Sequence, residues 1–168
     1  MQSWLTIIGG VLMAIVVYEL LRRQVLKRAA LKIRRAGQRT VDSAMVAAFK
    51  VLANAMTIQE VAGAIHSVPA ADVWGRGVMA FEYVLDAPGM VTADLPEVRR
   101  LFNNELQAYA IHNQVVAFRE AGPALRVTDA WLRSGQLHLD IAYLMNEATL
   151  EYLEDLRRLN SSAPKKQS

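Results

Sequence analysis

The segment from Ser3 to Leu21 constrains this chain most, because only one of its nineteen residues, Glu19, is charged. As an α-helix with a rise of about 1.5 Å per residue, the segment spans about 28 Å, close to the hydrocarbon thickness of a bilayer. No basic residue precedes it and no small-residue cleavage site follows it, so a cleaved signal peptide is not expected. We predict an uncleaved transmembrane helix over residues 3–21. The alternative is a buried core helix, which would have to be covered on every face.

A strongly basic segment follows the apolar one. Residues 1–40 carry eight Lys and Arg against one acid, a net charge of +7, whereas residues 41–168 carry eleven against fifteen, a net charge of −4. The eight cations are Arg22, Arg23, Lys27, Arg28, Lys32, Arg34, Arg35 and Arg39. Because basic residues that flank a span are retained on the cytoplasmic side, we expect the N-terminus outside a bacterial-type plasma membrane and the C-terminal domain in the cytoplasm.

Residues 22–39 are predicted to form a basic amphipathic juxtamembrane helix. Leu26, Ala29, Ala30 and Ile33 recur at spacings of three and four, and the cations occupy the other positions. Such a helix can lie along anionic lipid headgroups. A nucleic-acid arm is the competing interpretation, but no aromatic residues interleave the cations and no base-reading motif accompanies them. The bilayer and its anionic headgroups are therefore the expected partners.

Small residues recur every four positions within the apolar segment, at Thr6, Gly10 and Ala14. Side chains of this size let a second helix approach closely. We therefore predict a transmembrane packing face, which supports either a homo-oligomer or contact with a membrane-protein partner.

Residues 40–160 are predicted to form one small, mainly helical domain with a single β-hairpin. Apolar periodicity, caps and helix-breaking residues indicate helices over 40–56, 57–65, 71–86, 94 to about 122, and 146–160. Alternating residues on both sides of Ser134-Gly135 indicate a hairpin over about 125–144. Residues 161–168 are polar, which is typical of a disordered tail. The predicted fold class is mainly α, a small α+β domain behind one transmembrane helix.

The hairpin carries the strongest candidate site. A two-residue turn pairs Asp129 with Asp140 across the strands and leaves His138 on the same face. The buried face is then expected to hold Thr128, Ala130, Leu132, Leu137, Leu139 and Ile141. Two opposed carboxylates repel each other, and a cation or a shared proton relieves the repulsion. We therefore predict a divalent-cation or polar-ligand site formed by Asp129, Asp140 and His138. The alternative is an ordinary solvated sheet face, and a register shift of one residue would separate the two acids.

Established catalytic signatures are missing from the sequence. There is no cysteine, which excludes disulfides, thiolate nucleophiles and zinc–thiolate sites, and there is no phosphate loop, G-x-G-x-x-G, H-E-x-x-H or G-x-S-x-G motif. No cofactor is expected. The predicted function is a non-catalytic, single-pass, membrane-anchored scaffold or accessory subunit that presents a helical interaction domain. The alternatives are a ligand- or divalent-cation-binding module on the hairpin face, including a low-turnover hydrolase, and, as the weakest, membrane-tethered nucleic-acid binding.

Overall fold

A computed structural model of the chain describes residues 2–60, 65, 67–70, 77–119 and 122–162, without the side chains of residues 2–7, 9 and 160–162. The chain divides into two compact units, Met1–Ala36 and Gly37–Ser168. The helices are α1 (Gln2–Met56), α2 (Leu95–His112) and α3 (Glu147–Ser162). The strands are β1 (Gln59–Glu60), β2 (Ser67–Pro69), β3 (Ala80–Asp86), β4 (Leu125–Arg133) and β5 (Gln136–Tyr143).

The N-terminal apolar segment belongs to the 55-residue helix α1. In the described part of the chain, no helix combines the length and the apolar character needed to cross a membrane. The helix becomes charged at Glu19, Arg22 and Arg23, within and directly after the predicted span, and continues as a strongly basic segment. The transmembrane helix predicted over 3–21 is therefore wrong. The single-pass topology, the plasma-membrane location and the membrane-anchored scaffold, which depend on that helix, are wrong with it.

The second unit contains a five-stranded antiparallel sheet. Strands β1, β3, β5 and β4 lie side by side in that order, and β2 also pairs with β3. The predicted fold class, mainly α with one hairpin, is therefore wrong, and helices packed on an antiparallel sheet replace it. Strand β1 occupies part of the predicted helix 57–65, and β3 occupies the end of the predicted helix 71–86. Residues 61–64, 66 and 71–76 of these two predictions lie outside the described residues.

Strands β4 and β5 form the predicted hairpin. Ser134 and Gly135 connect them with φ angles of +52° and +78°, the left-handed conformation that a tight two-residue turn requires. Glycine adopts this conformation without steric cost, which is why the Ser-Gly pair marks the turn in the sequence. The register is the predicted one, with Asp129 opposite Asp140.

A β-bulge between Val127 and Asp129 changes the face on which β4 presents its first residues. Val127 is buried, whereas Thr128 is only partly buried and donates its hydroxyl to the backbone carbonyl of Asp140 at 3.1 Å. The prediction of Thr128 on the buried face is therefore wrong. Ala130, beyond the bulge, is buried as predicted.

Opposite faces of the sheet pack against different helices. On one face, Phe81, Tyr83 and Leu85 of β3 are completely buried against α1 and α2. The buried helical side chains of this core are Val41, Ala44, Met45, Ala48, Leu52, Val98, Phe102, Leu106 and Ala110. On the other face, α3 packs Tyr152 near Ala80 and Leu153 near Ala142, at one end of the sheet. The polar side chains of that second face include Glu82, Asp86, Gln136, His138 and Asp140, and the face also holds Val84 and Trp131.

Three predicted helices of the second unit are confirmed. The one over 40–56 is the end of α1, which stops at Met56, and the other two, α2 and α3, differ from the predictions at their ends. Helix α2 contains the predicted Pro96 in its first turn, but Asp94 makes no side-chain capping bond to it. It ends at His112 rather than near Gly122. Helix α3 follows Asn146, whose Oδ1 accepts a hydrogen bond from the backbone N–H of Thr149 at 2.9 Å, as an N-cap residue should.

Candidate functional site

The three residues predicted as a cation site lie on the half-buried polar face of the sheet. Asp129 is opposite Asp140, and the His138 ring stacks on Trp131 with centroids 5.0 Å apart and planes 13° apart. On its other side, Asp140 is opposite Glu82 of β3. Three carboxylates therefore occupy adjacent positions on three neighbouring strands.

Two of the predicted residues already have partners within the protein. Asp129 Oδ1 accepts a hydrogen bond from Arg99 Nη2 at 2.7 Å, and His138 Nδ1 lies 2.8 Å from Glu82 Oε1. The sequence prediction missed Glu82, because it assigned that segment to a helix. Alternation of buried and half-buried residues along β3 is the signal that could have identified it.

Asp140 is the least well satisfied of the acids. Its Oδ1 is buried and has no hydrogen-bond partner among the described residues. Its pKa is raised to about 6, chiefly by burial and then by the charges of Glu82 and Asp129, whereas His138 acts in the opposite direction. Asp140 is therefore an acid that a proton or an external cation would stabilise.

Among the described residues, no group of three or more His, Asp or Glu side chains is arranged to hold a metal ion. A divalent-cation site at Asp129, Asp140 and His138 remains a prediction. If the site exists, Mg²⁺, Ca²⁺ or Mn²⁺ raises the melting temperature of the protein, and Asp129→Asn and Asp140→Asn abolish that rise. Equal melting temperatures with and without each cation would contradict it.

The predicted membrane-surface and helix-packing residues all lie on α1. The eight cations between residues 22 and 39 are at least partly exposed, and Gly10 and Ala14 are exposed. The side chain of Thr6 lies outside the described residues. Since the predicted span is wrong, these residues form an exposed helix surface, apolar before residue 22 and basic after it.

A second site, which the sequence analysis did not predict, lies between the loop before β4, the end of β5 and α3. It is a cavity of about 360 Å³, here called the arginine cavity. Its charged lining residues are Arg119, Arg126, Arg157 and Glu154, and its larger apolar ones are Leu144, Leu150 and Leu153. Three cations against one acid give this small cavity a net charge of +2.

Hydrogen bonds hold the loop side of the arginine cavity against the sheet. The backbone N–H of Phe118 donates to the carbonyl of Leu144 at 2.7 Å, and the N–H of Leu144 donates to the carbonyl of Ala124 at 2.8 Å. These bonds connect both ends of the described loop to the end of β5. Residues 120 and 121, between them, lie outside the described residues.

The guanidinium groups of the arginine cavity have no carboxylate partner in the part of the chain that the structure describes. Within the described residues, none of Arg119, Arg126 and Arg157 forms an ion pair with a carboxylate. Burial lowers the pKa of Arg126, and the nearby charges of Arg157 and Arg99 lower it further. Arg126 is partly buried, whereas Arg119 and Arg157 are exposed. A partly buried cation that its neighbours repel favours a bound anion, because the anion replaces lost hydration and relieves the repulsion.

Comparison of this chain with protein-family models, with curated proteins and with solved structures gives no match. Its function therefore has to be argued from the chemistry of its own sites.

Proposed function

We propose that the unit formed by residues 37–162 is a non-catalytic binding module for a small organic anion, which it takes in the arginine cavity. The observation that carries the proposal is the set of three guanidinium groups around one cavity, none of which pairs with a carboxylate of the described residues. A guanidinium group presents its N–H donors in a planar fork that matches a carboxylate or a phosphate. Arg126 is partly buried and is repelled by Arg157, so an anion held between these groups and the exposed Arg119 would offset both the desolvation of Arg126 and the repulsion.

The apolar lining of the cavity indicates the nature of the uncharged part of the ligand. Leu144 and Leu153 are buried and Leu150 is partly buried, so a short hydrocarbon or aromatic body can be covered there. A volume of about 360 Å³ lies at the lower end of the range for small-molecule sites, roughly 300–1,000 Å³. The ligand class is therefore a carboxylate or phosphate monoester with a small apolar body.

The lining residues also favour binding over catalysis. Arginine stays protonated at neutral pH and cannot exchange protons as a general acid or base. The described lining contains no Ser, Thr or His that could act as a nucleophile beside a base, and Glu154 is its single acid.

The proposal predicts that hexanoate and hexyl phosphate bind to the protein, whereas hexan-1-ol, with the same chain and no charge, does not. Isothermal titration calorimetry and the shift of the melting temperature measure the binding of each of the three compounds. In Arg126→Gln and Arg157→Gln we expect the dissociation constant to rise roughly tenfold to a hundredfold, since a hydrogen bond to a charged group is worth about 1.5–3 kcal/mol.

The matched control is Arg133→Gln, which removes an exposed arginine from the other end of β4 and should leave binding unchanged. Melting of the ligand-free variants separates binding from folding. Because Arg126 is half-buried and repelled by its neighbours, its removal should leave stability unchanged or slightly higher. No binding of either anion, or binding that survives both cavity substitutions, would contradict the proposed function.

A further inference from the structure

The first unit of the chain exposes an apolar helix surface of unusual extent. Between Ile8 and Ile33 of α1, the large apolar side chains are 46–71% exposed. Exposed apolar patches of this size mark an interaction surface in proteins that are stable in water. The spacing of the apolar residues along α1 and the positions of its charged residues indicate what covers this surface.

One set of positions on this helix follows a heptad repeat. Eight residues, at positions 8, 12, 15, 19, 22, 26, 29 and 33, are separated alternately by four and three positions, and all but 19 and 22 are apolar. They cover nearly four heptads, or about 39 Å of helix. The a positions include Leu12, Leu26 and Ile33, and the d positions include Ile8, Ile15 and Ala29. These positions, here called the seam, have the 3.5-residue period of a left-handed coiled coil.

The two charged positions of the seam are complementary. Glu19 at a and Arg22 at d lie one turn apart, with Oε1 and Nη1 separated by 3.4 Å. In a parallel, in-register pair, Glu19 lies opposite Glu19 of the other copy and Arg22 opposite Arg22. The two layers adjoin, so Glu19 of each copy also meets Arg22 of both copies, and this pairing offsets the repulsion within each layer. A polar layer of this kind inside an apolar seam fixes the register of a coiled coil.

The remaining charges favour a parallel arrangement. In a parallel coiled coil, each g position faces the e position five residues later in the partner, which pairs Tyr18 with Arg23 and Val25 with Ala30. Neither pair brings like charges together, and an arginine beside a tyrosine ring is favourable. An antiparallel arrangement would instead place the apolar residues 8–18 of one copy beside the cation-rich residues 27–35 of the other.

We propose that residues 8–33 form a parallel, in-register coiled coil with a second copy of this chain. The inference is independent of the arginine cavity, which lies in the other unit. It predicts that the full-length protein is a dimer in aqueous buffer, with twice the 18.7 kDa mass of the single chain. Light scattering after size exclusion measures this mass.

Substitutions inside and outside the seam test its position. Leu26→Lys puts a cation at an a position and should raise the dimer dissociation constant at least tenfold. Leu31→Lys is the matched control, because Leu31 is similarly exposed but lies at the f position, away from the seam. The melting temperature of the second unit should stay the same in both variants.

The absence of cysteine from the chain makes the register directly measurable. Ala29→Cys, at a d position, should form a disulfide-linked dimer on oxidation, whereas Leu31→Cys should not. A dimer that Ala29→Cys does not crosslink would overturn the parallel register. A monomeric wild-type chain would overturn the proposal, whether it stays free in buffer or partitions as a monomer into phosphatidylcholine vesicles.

Discussion

The Asp42→Ala variant is expected to lose about 3 kcal/mol of unfolding free energy, measured by urea denaturation at pH 7. Asp42 Oδ1 accepts hydrogen bonds from Ser67 Oγ at 2.6 Å and from Tyr83 Oη at 2.7 Å. Tyr83 is completely buried. Without the carboxylate, its hydroxyl loses this partner inside the core, and such a loss costs about 1–3 kcal/mol in addition to the second lost bond.

The same bonds connect three elements of the second unit. Asp42 lies on α1, Ser67 on β2 and Tyr83 on β3, and Gln38 Nε2 adds a donor to Ser67 Oγ at 2.8 Å. Burial raises the pKa of Tyr83 far above its ordinary value, and Asp42 acts in the same direction. The tyrosine therefore remains a hydrogen-bond donor across the pH range in which the protein is handled.

A double-substitution cycle distinguishes this network from general damage to the core. Tyr83→Phe removes the buried donor together with its need for a partner, so Asp42→Ala/Tyr83→Phe should be about 1 kcal/mol more stable than Asp42→Ala alone. Asp155→Ala, which removes an exposed acid from a 3.7 Å ion pair, should change stability by less than about 0.5 kcal/mol. Equal losses for Asp42→Ala and Asp155→Ala would contradict the assigned network.

Local signals in the sequence were sufficient for the elements that local chemistry determines. The Ser134-Gly135 turn fixes the register of β4 and β5, because a two-residue connection permits a single pairing. Pro96 and Asn146 similarly mark the starts of α2 and α3. The opposed pair Asp129 and Asp140 follows from the same turn, which is why half of the polar face could be predicted.

Strand β3 shows where local reasoning fails. Its partner β5 lies about fifty residues later, so no turn in the sequence indicates the pairing. The apolar residues Phe81 and Leu85 fit helical spacing, yet Tyr83 between them is also buried, which only a strand of period two explains. Without β3, Glu82 could not be placed opposite Asp140.

The arginine cavity was not predicted and the membrane span was predicted wrongly, for different reasons. Arg119 comes from a loop, Arg126 from β4 and Arg157 from α3, so only the packing of α3 on the sheet brings them together. For the helix, the low charge of residues 3–21 favoured a membrane span. Residues 8, 12, 15 and 19 of this segment also belong to the proposed seam, and composition alone does not separate a membrane span from a coiled coil.

At pH 7, the Asp140→Asn variant is expected to be more stable than the natural chain, by about 1–2 kcal/mol after allowance for solvent screening. The pKa of Asp140 is about 6 in the folded protein against an ordinary value of 3.8, chiefly because of burial, with Glu82 and Asp129 adding to it. Between these values the folded state binds more protons than the unfolded state, so stability falls as the pH rises from about 4 to about 6. Asparagine does not titrate. The difference in unfolding free energy between Asp140→Asn and the natural chain should therefore shrink below pH 6 and vanish below pH 4.

The charged and titratable groups around Asp140 define the controls. Glu82 and Asp129 face it from the neighbouring strands β3 and β4, His138 lies two residues before it on β5, and Tyr152 approaches from α3. Glu97→Gln makes the same chemical change at an exposed acid whose pKa Arg100 lowers, so it should lose stability above pH 4, the opposite sign. Urea denaturation of the natural chain, Asp140→Asn and Glu97→Gln from pH 4 to pH 8 measures whether each substitution raises or lowers stability. A constant difference between Asp140→Asn and the natural chain across this range would show that Asp140 does not titrate as inferred, because only a proton bound in the folded state makes the difference depend on pH.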